Sequence, residues 1–475
     1  MRHNLHIRFN RSSELSHSET ENLKRSTWEI DCPYLAIKSR LQDKHILYSG
    51  AGIIKQTPNG QIVFKLYSHR QLNAQNSIWK HSLEPGKMIP DHAFYDLVAT
   101  DHQGREWHSF RLLPDVNTTA QGKSIIEGGI FELFCEGQLP RSVTLRDNSI
   151  TFNVFNNIKI PSNEQTIQRK SVARGRRWSK SHNLNAWRFR VCGIDFLLEK
   201  QDDKALVINI HLEQKKTINH LETRVMEAFQ FIFGQPVLWT AMYKRIGRRT
   251  KTVIRSQTPG ITGTRFLAPL PPQGIVDPKT NRFTTAHHRR LFERFFKHIM
   301  RSDQMRHPLW GQLNAVYEAS GGTFIDAQAL ALTVAIESIL GSEFSKIGIL
   351  KEKDKRYVDN ARKYFEDWTG NEQIKNRIRG AVTQLLQSRA GDKMRDLAQR
   401  GAITENQVKA WQKLRNASAH SYQTSSIAHD EFVNLLKKIE VLFYHLIFYA
   451  IGYQGPYLDF SSPGWPIKQY PSNKD

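Results

Sequence analysis

The sequence predicts an α+β multidomain protein, in which a β-rich domain resembling a sandwich or barrel is followed by an all-α helical bundle. Two observations support this layout. Short runs that alternate apolar and polar residues recur between turn residues in the first half of the chain. From residue 285 onward, apolar residues recur at helical spacing. A chain of 475 residues is long enough for two or three domains with their own cores.

Composition divides the chain into four segments. Residues 1–27 are polar and predict a loosely attached arm, and residues 28–215 predict a β-rich sensor or binding domain. Residues 216–284 combine one amphipathic helix with a basic, Pro-rich passage, which predicts a connector. Residues 285–475 predict the helical domain.

Individual elements follow from the same patterns. Strands are predicted at 62–67, 93–100, 107–113, 124–136, 149–160, 187–200 and 205–212. A helix is predicted over 218–233, ended by Gly234-Gln235-Pro236. Further helices are predicted at 285–303, 307–319, 326–341, 353–367, 371–390, 392–399, 404–416 and 429–452.

The charge of the chain favours a polyanionic partner. It carries 68 Lys and Arg against 45 Asp and Glu, a formal net charge of +23. Residues 1–284 hold +16 of this excess and the remainder holds +7. The sequence therefore places most of the attraction for a polyanion in the N-terminal half.

Two basic stretches without acidic residues stand out, Arg169–Arg190 and Ala228–Val276. In the first, Trp178, Trp187 and Phe189 lie among the cations, as in surfaces that grip phosphates and stack bases. The candidate RNA-binding residues are Arg174, Arg176, Arg177, Lys180, Arg248 and Arg249. A solvated loop, a linker, or a surface for an acidic protein would explain the same stretches.

The residues best suited to chemistry lie near the C-terminus. Arg415 can hold a phosphate through two parallel hydrogen bonds, and Asn416 can donate and accept beside it. His420 titrates near neutrality, so it can accept or donate a proton. On one continuous helix, Arg415 and His420 would point about 140° apart. They converge only if the helix ends or bends between them, or if two subunits share a cleft.

Glu337 lies on an otherwise apolar helix, Ala329 to Leu340, and needs a partner if it is buried. Pairing with Arg415 would orient the guanidinium group. A solvated position is the alternative.

Leu414-Arg415-Asn416-Ala417-Ser418-Ala419-His420, a polar loop and a long apolar helix together resemble the HEPN ribonuclease motif. The helix with Glu337 resembles the first core helix of that family. A large β-rich N-terminal half is similar to the Apea-like HEPN proteins of bacterial antiphage defence. The residue after the histidine is often glycine in this family, whereas here it is Ser421.

The resemblance implies a metal-independent endoribonuclease, with no cofactor, in which a ribose 2′-OH attacks the adjacent phosphorus. It also implies a homodimer with one composite site, and RNA, including tRNA, as substrate. The expected setting is a toxin-like effector of antiphage defence or abortive infection, whose N-terminal domain senses a phage-derived or other trigger. The alternatives are a non-catalytic HEPN protein that binds nucleic acid or a nucleotide, and a DNA-binding regulator, although no helix-turn-helix signature with a basic recognition helix is evident.

Several classes of site are disfavoured by the sequence. Three dispersed cysteines and no CxxC pair disfavour a thiolate zinc site and predict reduced thiols. The absence of an acidic cluster near the motif agrees with a metal-free mechanism. The N-terminus lacks an apolar core for a signal peptide, and Glu440 and His445 interrupt the most apolar run. A cytoplasmic protein with no membrane partner is expected.

Overall fold

The computed structural model describes residues 28–40, 46–68, 88–118, 123–142, 148–165, 167–172, 175–180, 184–202, 205–213, 219–257, 267–277, 279–322, 324–349, 352–386, 388–419 and 428–471. Within these, the side chains of 118, 167–172, 175–180, 202 and 419 are not described. The chain divides into two compact units. The sheet unit comprises Met1–Ile218 with Val237–Thr262, and the helical unit comprises Asn219–Pro236 with Gly263–Asp475. The predicted order, a β-rich half followed by a helical half, is therefore confirmed.

Fourteen strands of the sheet unit form one hydrogen-bonded antiparallel sheet, in the order β12-β13-β14-β9-β15-β16-β8-β5-β4-β1-β2-β3-β7-β6. Its strands are β1 (Glu29–Ser39), β2 (Ile46–Gln56), β3 (Ile62–Ser68), β4 (Tyr95–Thr100), β5 (Glu106–Leu112), β6 (Asp115–Thr118), β7 (Ser124–Ile130), β8 (Glu132–Gln138), β9 (Asn148–Val154), β12 (Ala186–Val191), β13 (Ile194–Asp202), β14 (Ala205–Leu212), β15 (Trp239–Ile246) and β16 (Arg249–Arg255). Two-stranded ribbons are formed by β10 (Ile167–Val172) with β11 (Gly175–Lys180), β17 (Ile275–Asp277) with β18 (Arg282–Thr284), and β19 (Gly455–Leu458) with β20 (Ile467–Tyr470).

Two runs that were predicted as single strands are each divided into two strands, and only the first of them is a hairpin. The run 187–200 turns at Cys192-Gly193, where both residues have positive φ angles of 55° and 75°. A two-residue turn between antiparallel strands requires this left-handed backbone, which glycine adopts without steric cost. The run 124–136 is interrupted by a bend at Phe131, where β7 ends and β8 begins, and these two strands pair with different neighbours in the sheet. Apolar residues on both sides of each break hid these breaks in the sequence pattern.

The segment 216–284, expected to connect the domains, is divided between the two units. Helix α1 (Leu221–Phe233) belongs to the helical unit and ends at Gly234, whose φ is 61°. The following residues form β15 and β16, which lie between β9 and β8 in the sheet. The basic stretch therefore contributes two strands with neighbours on both sides in the sheet. Val253 and Ile254 of β16 are buried there.

The helical unit contains the predicted helices with small changes in their ends. They are α2 (Ala286–Ile299), α3 (Pro308–Ser320), α4 (Ile325–Ser342), α5 (Glu352–Glu366), α6 (Glu372–Leu385), α7 (Ala390–Gln399), α8 (Glu405–Ala419) and α9 (His429–Ala450). At the start of α8, the Gln407 side chain accepts from the Thr404 backbone N–H at 2.9 Å, while Thr404 Oγ1 accepts from Gln407 N–H at 3.3 Å. This reciprocal capping satisfies donors that the first helical turn leaves unpaired.

Helix α9 crosses the core of the helical unit, and its polar residues are paired there. Gln328 Nε2 donates to Glu440 Oε1 at 2.9 Å, and the Gln407 amide lies 3.2 Å from His445 Nδ1. Burial lowers the pKa of His445 to about 3, so this imidazole is neutral at pH 7. The two interruptions of the apolar run are thus core residues with hydrogen-bonding partners.

Among the described helices, α4 alone is long and apolar enough to pass a length-and-hydropathy test for a membrane span, and 44% of its residues are buried within the protein. Its other side carries the exposed apolar residues Leu330 and Val334. Helix α4 is therefore apolar on two sides, one buried in the core and one exposed. A core helix of a globular unit passes the same test, so the finding is weak evidence for a membrane.

Candidate functional site

Helix α8 supplies one wall of a cleft of about 1180 Å³ in the helical unit. Trp411 and Arg415 are four residues apart, as are Gln412 and Asn416, so all four share one side of the helix. The cleft is lined by Glu337, Gly348, Ile349, Asp354, Val358, Leu385, Arg389, Ala390, Gly391, Asp392, Arg395, Asp396, Gln399, Trp411, Gln412, Arg415 and Asn416. Two of the predicted catalytic residues, Arg415 and Asn416, therefore face a common space with the predicted orienting residue Glu337.

Arg415 is held by Glu337 through an ion pair between its Nε and Oε1 of the carboxylate. The Arg415 side chain is 49% exposed, and its guanidinium carbon lies 5.9 Å from the centre of the buried Trp411 ring. The two terminal nitrogens of the guanidinium have no other partner among the described residues. An arginine oriented at Nε and open at its terminal nitrogens can bind a phosphate through two parallel hydrogen bonds.

Three of the five other charged residues that line the cleft, Asp392, Arg395 and Asp396, form ion pairs. Arg395 Nη1 donates to Asp392 Oδ1 at 2.8 Å. Asp396 accepts from Arg400 at 2.6 Å, and this hydrogen bond lowers the pKa of its carboxyl group. The lining contains three arginines and four acidic residues. The cleft is therefore not a strongly positive surface, and Arg415 is its most distinctive anion-binding group.

Two hydrogen bonds fix the floor of the cleft to helix α7. The buried Lys393 donates from Nζ to the Leu340 carbonyl at the end of α4, at 2.8 Å. Burial lowers the pKa of this lysine. Asp396 Oδ2 accepts from the Gly348 backbone N–H at 3.1 Å. These bonds hold helix α4, the loop that follows it and helix α7 in a defined arrangement around the cleft.

The predicted catalytic histidine, His420, lies outside the described residues. Helix α8 is described to Ala419, three residues beyond the predicted end at 416. From the sequence, the helix was expected to end at Asn416. Instead, the chain stays helical beyond that residue. Apolar Ala417 is buried, and Ser418 Oγ donates to the Leu414 carbonyl at 2.7 Å, which is compatible with a continuing helix.

The predicted RNA-binding residues belong to the sheet unit and are described unequally. Arg174 lies outside the described residues, and Arg176, Arg177 and Lys180 lie on strand β11, whose side chains are not described. Arg248 donates to the Pro140 and Arg141 carbonyls at 2.5 and 3.0 Å. Arg249 is exposed at the start of β16.

The aromatic residues of the first basic stretch were expected to stack bases, and for two of them this expectation is wrong. Trp187 has no exposed surface and Phe189 is only 6% exposed. Their ring centres lie 4.2 Å apart, and Phe189 stacks on Phe196. Because β12 alternates buried and exposed positions, its aromatic residues pack inside the sheet unit while its arginines face outward.

Sequence analysis missed a cluster of His298, His307 and Glu343, whose ligand-type atoms lie within 4.8 Å of one another. His298 Nε2 lies 2.9 Å from Glu343 Oε2, and the Leu309 N–H donates to His307 Nδ1 at 3.2 Å. Burial lowers the pKa of His307, so the ring is neutral and carries its proton on Nε2. A metal could bind at Nε2 only if the proton left the ring or moved to Nδ1, and a proton on Nδ1 would break the hydrogen bond that caps α3. This cost favours a hydrogen-bonded network over a metal site. The wide sequence separations gave no signal for this cluster.

The geometry supplies one oriented, half-exposed guanidinium group, one adjacent amide and a cleft large enough for a nucleotide. This arrangement can bind a phosphate group beside groups that donate and accept hydrogen bonds. Comparison with protein-family models, with curated proteins and with solved structures returned no match.

Proposed function

We propose that this protein is a metal-independent endoribonuclease of the HEPN type, acting in the cytoplasm as a toxin-like effector of antiphage defence. The sheet unit would sense a phage-derived or other trigger. The observation that supports the proposal is the oriented Arg415 in the wall of the cleft, with Glu337 at its Nε and Asn416 beside it. The motif that carries the HEPN resemblance is thus in part assembled around a space that can hold a phosphodiester.

In the proposed reaction, Arg415 binds the non-bridging oxygens of the scissile phosphate and stabilises the charge that develops on them. A His420 imidazole removes the proton from the ribose 2′-OH, and O2′ forms a bond to phosphorus as the bond to O5′ breaks. A second imidazole, in its protonated form, donates a proton to O5′. The products are a 2′,3′-cyclic phosphate and a 5′-hydroxyl, with no water or other reactant consumed.

A homodimer would provide both proton-transfer groups. Each chain offers one His420, and a two-fold interface places the same surface from both subunits opposite itself. The side of α4 that carries Glu337 also exposes Leu330 at 49%, Val334 at 57% and Ala327, with the half-buried Ala331 between them. An exposed apolar surface next to Arg415 supports an interface there, which would bring two motifs to one site.

The direct test is cleavage of RNA by the purified protein and by its His420→Ala variant. We expect a loss of about 10²–10⁴-fold, the usual contribution of general acid–base catalysis. His429→Ala, which changes an exposed histidine at the start of α9, is the matched control and should retain activity. EDTA should leave cleavage unchanged. Equal rates for wild type and His420→Ala, or strict dependence on Mg²⁺, would refute the proposal.

The composition of the cleft supports a second candidate, a protein that binds a nucleotide without cleaving RNA. Four acidic residues against three arginines favour a compact ligand with few phosphates over a long polyanion held in the cleft itself. This candidate predicts that Arg415→Ala abolishes nucleotide binding while no variant changes RNA integrity. Isothermal titration with nucleoside mono- and triphosphates, run beside the cleavage assay, separates the two functions.

A further inference from the structure

Helix α2 presents a basic surface on the helical unit that the candidate cleft does not include. His287, Arg289, Arg290, Arg294 and Lys297 line a depression of about 480 Å³ together with Ala286 and Glu293. The opposite side of the helix is buried in the core through Leu291, Phe292, Phe295, Phe296 and Ile299. The basic side chains therefore project from a helix that packing holds in place.

Acidic residues scarcely neutralise this surface. Glu293, the only acid among the described residues that line the depression, pairs with Lys297 at 2.6 Å. Arg289, Arg290 and Arg294 are exposed and have no acidic partner in the part of the chain that the structure describes. Burial, and then the charge of Arg290, lowers the pKa of His287, as expected beside uncompensated positive charge. Three guanidinium groups thus remain available to an anionic ligand.

The hairpin that precedes α2 adds aromatic surface and further cations. Val276 and Phe283 are cross-strand partners in β17 and β18, and both are exposed, at 43% and 57%. Arg282 and Lys279 of the same hairpin are also exposed. An exposed aromatic ring flanked by cations can stack a nucleic-acid base while the cations contact the neighbouring phosphates.

We propose that this basic surface, from Lys279 to Lys297, binds single-stranded RNA. The identification of that RNA as the substrate of the cleft rests on the function proposed above. Arg290 and Arg294 lie one helical turn apart, about 6 Å along the axis, so they can contact separate phosphates of one strand. An exposed phenylalanine favours RNA with accessible bases over an acidic protein, which would require the charges alone. The surface also explains how a protein with a nearly neutral cleft would retain a polyanionic substrate.

The test compares two triple variants made in the cleavage-silent His420→Ala chain. The first, Arg289→Gln with Arg290→Gln and Arg294→Gln, removes the unpaired cations. The second, Arg356→Gln with Arg377→Gln and Arg379→Gln, removes three exposed arginines of α5 and α6 and changes net charge equally. Binding of a fluorescent 20-nucleotide RNA is measured by anisotropy across a range of salt concentrations, and circular dichroism verifies the fold of each variant.

For the α2 variant we expect weaker binding and a salt dependence whose slope falls by about 2, because each phosphate contact on a single strand contributes roughly 0.7. The α5 and α6 variant should keep the wild-type slope. Phe283→Ala should weaken binding on the order of tenfold with little change in slope, since stacking does not release counterions.

Equal slopes for both triple variants would overturn the inference, as would normal RNA binding by the folded α2 variant. This outcome is distinct from failure of the proposed function, because binding is measured without cleavage. If the wild type cleaves no RNA but the α2 variant loses RNA binding, the surface stands and the nuclease fails. If the wild type cleaves RNA and the α2 variant binds it normally, the nuclease stands and the surface fails.

Discussion

The basic residues of the sheet unit and those of helix α2 differ in whether acidic residues face them. Much of the sheet's positive charge is paired across or beside its strands. The pairs include Lys65–Glu127 at 2.6 Å, Arg188–Glu164 at 2.7 Å, Lys251–Glu136 at 2.8 Å and Arg255–Glu132 at 2.7 Å. On α2, by contrast, Arg289, Arg290 and Arg294 have no acidic partner among the described residues.

This comparison shows that the net charge of a segment does not locate its binding surface. Residues 1–284 carry more than twice the excess charge of the remainder, yet many described cations there are engaged by acids that are distant in sequence. A paired cation has little potential left to offer a ligand, whereas an unpaired exposed cation retains it. Paired charges should therefore affect stability, and unpaired charges should affect binding.

The largest effect on stability should come from the buried pair of Arg224 and Glu227 on α1. Arg224 is 1% exposed, donates to Glu227 at 2.7 Å, and donates to the Ser302 and Gln304 carbonyls. Arg224→Ala would leave the buried Glu227 carboxylate with the His307 N–H but without its cationic partner, and would remove a donor from two carbonyls, so we expect a loss of about 3–5 kcal/mol in the free energy of unfolding. Arg289→Ala, on the exposed side of α2, is the control and should change stability by less than ~0.5 kcal/mol.

Urea unfolding measures the stability of both variants, and fluorescence anisotropy measures their affinity for RNA. If the comparison holds, the two measurements rank the variants in opposite order. Arg289→Ala should then lower RNA affinity, and the fraction of Arg224→Ala that remains folded should keep the wild-type salt slope. A stable Arg224→Ala protein with impaired RNA binding would break the distinction between the two kinds of cation.

A smaller, pH-dependent effect is expected at Asp459. Burial opposes ionisation of this carboxyl group, but hydrogen bonds from Lys468, Ser461 and Ser462 outweigh burial and lower its pKa to about 2. Because the pKa in the folded state lies below the ordinary value of about 3.9, the carboxylate stabilises the fold above pH ~4 and this contribution is lost as pH falls toward 2. By this linkage, Asp459→Asn should cost about 2 kcal/mol at pH 7.

Urea unfolding at pH 7 and at pH 2.5 tests this sign. The difference between wild type and Asp459→Asn should shrink at the lower pH, because the unfolded wild-type chain takes up this proton there and most of the stabilisation by the carboxylate is lost. An equal difference at both values would mean that packing, and not the charge, accounts for the loss.

Glu337 is an intermediate case, because its pair with Arg415 is half exposed and serves the candidate site. Glu337→Gln should lower the rate of RNA cleavage on the order of tenfold by loosening the guanidinium group, while unfolding changes by less than ~1 kcal/mol. Glu337→Asp keeps the charge and should recover part of the rate. If cleavage falls only in proportion to the folded fraction, Glu337 does not position Arg415.

The smallest effect is expected at the exposed pair of Lys251 and Glu136 in the sheet. Lys251→Gln should change stability by ~0.2–1 kcal/mol and leave the salt dependence of RNA binding unchanged. The matched change on α2, Arg294→Gln, should lower the slope by about 0.7. A lower slope for Lys251→Gln would place part of the RNA surface in the sheet unit and weaken the comparison.

The helices were predictable because helical periodicity and caps are local properties. The ends of α4 and α9 lie within two residues of their predicted positions, and Thr404 caps α8 as its spacing to Gln407 indicates. Strand boundaries were less predictable. Cys192 lies in a hairpin turn and Phe131 at a bend, each with apolar residues on both sides. Strands β15 and β16 follow a helix of the other unit, so the pattern did not reveal their places in the sheet.

The sequence by itself determined the order of the two halves, the helical periodicity, and the pairing of Arg415 with Glu337 as one of two alternatives. Those features depend on short-range patterns and on the high cost of leaving a charge without a partner on an apolar helix. The tertiary structure alone decided which cations are neutralised, since Lys251 and Glu136 are 115 residues apart and meet only through strand pairing. For the same reason it alone revealed that Trp187 is buried and that three surface arginines of α2 have no acidic partner within the described ranges.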